Sequence, residues 1–172
     1  KINMRTLEIR RSGGGKAAAF RADLAQDGAP ERLASDVESA LGPISLLVNN
    51  AGPFADAPFR TLSSAVWDEI MSANLKAPWL LAQKVAPSMD RLGWGRIVNL
   101  GGTDAYWGKV RRAHGVSAKL GVVGLTRAMA LELARFGITV NVVVPGTIDT
   151  QRPHPNWYPE LATGFAERLQ RI

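Results

Sequence analysis

Short runs of β-branched and apolar residues alternate along the chain with longer stretches whose apolar positions recur every three or four residues. The runs KAAAFRAD (16–23), ISLLVNN (44–50), RIVNLGG (96–102) and ITVNVVV (138–144) predict strands, and their nearly continuous apolar character belongs to a buried parallel sheet. Between them the period lengthens to that of helices. One helix is predicted over about 30–41, with Pro30 at an N1-like position and Gly42 beyond its end. A second runs from about Ser63 to Met89 and a third from about His114 to Arg135. The third is apolar around almost its whole circumference, which predicts burial on two sides, one against the sheet and one against another subunit. SGGGK (12–16) does not have the spacing of a phosphate-binding loop and precedes a strand, so it reads as a helix-to-strand turn.

Strand and helix in alternation predict an α/β fold in which helices cover a parallel sheet and ligands bind beyond the carboxyl ends of the strands. Those ends are NNAG (49–52), GGTDAYWG (101–108) and PGTIDT (145–150), all rich in residues that allow close backbone approach and polar contact. No repeat, low-complexity tract or linker divides the 172 residues, so a single domain over 1–172 is expected.

Composition narrows the picture. A hydrophobic content of 46% with 21% charged residues is that of a globular domain. The longest apolar stretches fall short of the ~20 residues that span a bilayer, and no membrane partner is expected. The formal net charge of +6 comes from dispersed Lys and Arg residues rather than one stripe, which argues against nucleic acid. The densest cluster, KVRR (109–112), reads either as a solvated loop or as a contact for a phosphate-bearing substrate handle. Cysteine is absent and no secretion signal is visible, so a cytoplasmic location is the expectation. No metal site is expected.

LLVNNAG (46–52), Asn74, Lys119 and VNVVVPGTIDT (140–150), in this order and spacing, resemble the short-chain dehydrogenase/reductase family, in particular its 3-oxoacyl carrier-protein reductase-like members. The resemblance covers nearly the whole chain and implies a Rossmann-like, doubly wound parallel sheet. It implies NAD or NADP as cofactor, with Asp23 and Leu24 meeting the adenine and Asn50, Ala51 and Gly52 bordering the adenosine ribose. Pro145, Gly146, Ile148 and Thr150 would hold the nicotinamide end, and Lys119 the nicotinamide ribose. It further implies a small-molecule carbonyl or secondary alcohol as substrate, and a homodimer or homotetramer built on helices 63–89 and 114–135. Val123 is taken as an outward position on the latter.

In that family a tyrosine four residues before the lysine usually donates the proton, and a serine thirteen residues before the tyrosine holds the substrate oxygen. Counting back from Lys119 gives Gly115 and Gly102, so both hydroxyls are missing. Asn74 remains, and Pro78 four residues on should free its carbonyl and kink the helix. The resemblance implies that this freed carbonyl is the water end of a proton relay through Lys119; the alternative is that Pro78 only bends the helix round its neighbours. Thr103, His114 and Tyr106 are the candidate substitutes. His114 is one residue off, ~100° around a regular helix, and reaches the site only if the helix begins irregularly; otherwise it faces solvent. Tyr106 and Thr103 lie in the preceding loop, where Tyr106 alternatively packs against Trp107.

The first strand with its glycine-rich turn, the second strand and the last strand of the usual fold have no counterpart, so the sequence reads as an internal fragment from the second helix to the substrate-loop helix LATGFAERLQRI. The residue that separates NAD from NADP belongs to the second of these strands. Three functions remain open: an NAD(P)-dependent oxidoreductase with an atypical site, on a 3-oxoacyl thioester if KVRR meets its phosphate; a catalytically silent nucleotide-binding or scaffolding homologue; and an inactive fragment.

Overall fold

The computed structural model describes residues 15–146 and Ile148. Helix α1 (Ala29–Leu41) leads to strand β1 (Leu46–Asn49), followed by helix α2 (Ser64–Met71), a π turn (Ser72–Lys76) and helix α3 (Ala77–Leu92). Strand β2 (Gly95–Leu100), the short helix α4 (Asp104–Trp107), helix α5 (Ala113–Leu133) and strand β3 (Ile138–Val143) complete the order. The strands form one parallel sheet, β1-β2-β3, with Asn49 level with Asn99 and Leu100 level with Val143.

Local chemistry sets the ends of these elements. Gly28 (φ 74°) precedes α1, and Gly42 (φ 92°) ends it while donating its N–H to the Glu38 carbonyl at 2.9 Å. Ser63 caps α2, its hydroxyl accepting from the Val66 N–H at 3.3 Å. The kink expected at Pro78 takes the form of the π turn, in which the Ala77 N–H reaches back to the Ser72 carbonyl. Proline has no N–H to return to residue 74, and a wider turn lets the helix continue without that bond.

The core lies on one face of the sheet. Ile97, Ile138 and Val140 pack there against Ala34 of α1 and Leu81, Ala82, Val85 and Met89 of α3, with Met129, Ala130 and Leu133 of α5 at the margin. The opposite face carries Leu46, Val48 and Val143, each about half exposed, so among the described residues the helices cover one side of the sheet.

Two expectations change. Residues 16–23 form no strand: among the described residues the sheet is β1-β2-β3 with β1 at its edge, and the segment joins no ladder there. Four of its eight residues are Ala, a weak strand former. Val123 is not outward; it is 5% exposed, whereas Leu120 and Leu131 project from α5 at 49% and 85%. The second side expected to be buried for α5 is therefore open among the described residues. Residues 12–14 of the SGGGK turn, Thr150 and LATGFAERLQRI lie outside the described residues.

Candidate active site at the carboxyl ends of the strands

Because the strands are parallel and in register, the segments 50–52, 101–103 and 144–146 leave the sheet at the same edge. Beneath them runs a polar ladder. The Asn49 amide donates to Asn99 Oδ1 at 2.8 Å, the Asn99 amide to Thr126 Oγ1 at 2.9 Å, and the Thr126 hydroxyl to the Val122 carbonyl at 2.7 Å. All three side chains are buried, so each bond satisfies a group that would otherwise be costly there, and together they tie β1, β2 and α5 into one frame. Asn99 was not singled out from the sequence. Its signal was an amide inside the β-branched run RIVNL, where Asn is disfavoured without a partner.

Lys119 stands on α5 one position beyond the buried stripe His114, Ala118, Val122 and Thr126. Its Nζ donates to the Leu100 carbonyl at 2.8 Å, at the very end of β2. Burial lowers its pKa from the ordinary 10.5 by disfavouring the charged form. The two glycines sit beside it. Among the described residues a Cβ at Gly102 would meet only Lys119 Cγ, at 3.7 Å, and a Cβ at Gly115 would meet nothing within 4 Å.

Asn74, in the π turn, is 3% exposed, and its amide donates to the carbonyls of Pro53 and Ile70, both at 3.1 Å. Its Oδ1 is buried without a protein donor among the described residues and faces Gly52, where any Cβ would overlap it. Gly52 is thus required by close approach rather than by a turn. Leu24, Asn50 and Ala51 share the lining of a groove of about 480 Å³ with Leu33 and Leu81. Asp23 is exposed, its carboxylate accepting from the Ala25 N–H at 3.1 Å. Pro145 is partly buried, and Gly146 and Ile148 are exposed beyond β3.

The candidate donors separate. His114 is 1% exposed, not solvent-facing, and both its ring nitrogens lack a partner among the described residues. Helix α5 begins regularly, with the Val116 N–H bonded to the Arg112 carbonyl at 2.8 Å, so His114 points into the stripe of Ala118 rather than along the face of Lys119. Thr103 is partly buried and its carbonyl accepts from the Tyr106 N–H at 3.0 Å, while Tyr106 is 52% exposed on α4. Trp107 beside it is 86% exposed, so no aromatic packing there buries either ring.

KVRR divides as well. Arg112 is 3% exposed, ion-paired with Asp56 at 2.5 Å, and its guanidinium lies 5.4 Å from the Phe54 ring centre. With the Ala57 N–H bonded to the Arg111 carbonyl at 3.0 Å, this pair fastens the 53–58 loop to the head of α5. Neither a solvated loop nor a phosphate contact describes Arg112. Residues 56 and 112 are too far apart in sequence for any local pattern to have paired them. Lys109 forms an ion pair with Asp104 at 3.9 Å, and Arg111 is exposed.

Comparison with known proteins bears on the family and the fold. The profile described as short chain dehydrogenase matches residues 2–158. Nodulation protein G of Azospirillum brasilense is 40% identical over 118 residues, covering 69% of this chain and 48% of that protein. The 3-oxoacyl-(acyl-carrier-protein) reductase MabA of Mycobacterium avium is 36% identical over 148 residues, covering 86% of this chain and 54% of its own length. A metagenomic short-chain oxidoreductase solved in complex with NADP superposes with a TM-score of 0.76 at 33% identity, over 83% of this chain and 64% of that one. The chain therefore spans about half the length of the curated relatives it matches. Sheet order, the asparagine-tied strand ends and the extent of these matches converge on one conclusion: this chain belongs to the short-chain dehydrogenase/reductase family.

Proposed function

We propose that the chain forms the nicotinamide-facing part of an NAD(P)-dependent oxidoreductase that interconverts a carbonyl and a secondary alcohol, with 3-oxoacyl thioesters as the substrate class. The observation that carries this reading is Lys119, an amine retained where burial disfavours its charge and held at the end of β2 by the Leu100 carbonyl. A lysine needed only for solubility has no reason to occupy such a position. Relatives named 3-oxoacyl-(acyl-carrier-protein) reductase, and a structural neighbour described in complex with NADP, support the substrate and cofactor classes.

The residues fit the cofactor at its nicotinamide and ribose side. Gly102 puts no side chain at the end of β2, and the buried Asn74 Oδ1 beside Gly52 calls for a donor that the described protein groups do not supply. In this reading Lys119 holds the nicotinamide ribose, Pro145, Gly146, Ile148 and Thr150 the nicotinamide end, Asn50, Ala51 and Gly52 the adenosine ribose, and Asp23 and Leu24 the adenine. When bound, the cofactor supplies or accepts the hydride. The proton then travels through Lys119 and water near Asn74, with Thr103 or Tyr106 at the substrate oxygen. The burial of His114 favours a packing role for it.

A second reading, a silent nucleotide-binding homologue, is favoured by the glycines at 102 and 115, which remove the usual donors. Titration with NADH and NADPH, followed by turnover of a generic 3-oxoacyl thioester, separates the two. We expect cofactor binding and a slow turnover that Lys119→Met abolishes. Binding without turnover would favour the silent homologue, and no binding of either nucleotide would reject both.

A further inference from the structure

We propose that Lys119 is a nucleophilic amine that condenses with small aldehydes and ketones in the space Gly115 and Gly102 leave beside it. This activity is separate from hydride transfer and requires only the amine and the gap, so it stands or falls independently of the cofactor reading.

Three features of the site carry it. The first is access: the side of α5 that leads to Lys119 is stripped at position 115, where even a Cβ would meet nothing within 4 Å among the described residues. On the strand side, the nearest atom to a Cβ on Gly102 is Lys119 Cγ itself, 3.7 Å away. A small carbonyl compound therefore finds room where most side chains would stand as a wall.

The second is the hydrogen-bonding state of the amine. Its partner, the Leu100 carbonyl, is an acceptor at 2.8 Å and takes one N–H without occupying the nitrogen lone pair of the neutral amine. Among the described residues no carboxylate pairs with Lys119; Asp104 and Asp56 pair instead with Lys109 and Arg112. Lys76 is the contrast, bonded to Asp27 at 2.8 Å with its pKa raised by that contact.

The third is burial, which lowers the pKa of Lys119 and so increases the fraction of neutral, nucleophilic amine near neutral pH. A partly buried lysine of this kind, open on one side and unpaired with acid, has the properties that imine chemistry needs. A tyrosine at 115 would have closed the approach.

The step balances without an oxidant or reductant. The amine lone pair adds to the carbonyl carbon as the C=O π pair moves to oxygen, and a proton passes from nitrogen to that oxygen. The carbinolamine then expels its oxygen, which leaves as water with a proton from solvent, and the nitrogen lone pair forms the C=N bond of an iminium ion. Water addition reverses it.

The test treats the full chain with propanal and sodium cyanoborohydride, which reduces the iminium to a stable secondary amine, and maps the modified lysines by peptide mass spectrometry. Lys119 should be alkylated several-fold faster than the exposed Lys16 and Lys84. Gly115→Tyr should slow the reaction at Lys119 while leaving Lys84 unchanged. If that variant does not fold, Gly102→Val, which fills the gap from the strand side, carries the same expectation. Alkylation of Lys119 no faster than of Lys84, or undiminished in the gap-filled variant, would overturn the proposal.

Discussion

Lys119 carries its charge into surroundings that oppose it, and stability should report this. Its folded pKa lies below the ordinary 10.5, so between the two values the unfolded chain binds more protons than the folded one. Stability then rises with pH through that window, and below it the native state bears the full cost of the buried charge. Replacing Lys119 with Met removes the cost, so the variant should gain most relative to the parent at neutral pH. The advantage should shrink as pH climbs toward 10.5, as followed by urea unfolding at a series of pH values. At the same scale, the sequence places glycine at 102 and 115 but misjudged His114. Spacing along a helix tells which residues share a face; it does not tell whether that face meets solvent or a neighbouring element. Position 114 shares the face of Ala118 and Val122, and that face turned out to be the buried one.

Among the elements, the strands and helices that have partners within the chain are those the pattern of apolar positions located well. Helix α1 was expected over 30–41 and spans Ala29–Leu41, because glycines at both ends punctuate it. The long helix expected over 63–89 became α2, a π turn and α3, an adjustment forced by one missing N–H at Pro78. What held β1, β2 and α5 together was less legible, since Asn49, Asn99 and Thr126 are distant in sequence and meet only in the fold. Asn99→Ala should leave the Asn49 amide and the Thr126 hydroxyl short of a buried partner and cost about 2–4 kcal/mol. Equilibrium denaturation checks this, and a loss of under half a kilocalorie would mean that water replaces the ladder.

For the whole molecule, the asymmetry of the sheet matters most. Helices α1, α3 and α5 pack on one face, while Leu46, Val48 and Val143 remain half exposed on the other. On α5 itself, Leu131 is 85% exposed although the helix is apolar nearly all round, which fits a surface that a second copy covers. Leu131→Glu should therefore lower the mass seen by analytical ultracentrifugation without changing the circular dichroism. A variant with unchanged mass would count against a contact between copies through α5. The side chain at 131 replaces Val123 as the place to test, because only packing distinguishes the two apolar positions.

Apolar periodicity, turn residues and the spacing of Lys119 from Gly115 are properties of neighbours along the chain. They sufficed for the α/β class and for the resemblance to the family. The burial of His114, the Asp56–Arg112 fastening, the asparagine ladder and the failure of residues 16–23 to form a strand depend on groups far apart in sequence. Hydrogen bonds, ion pairs and burial are satisfied in space. The fold alone decides which partner is within reach.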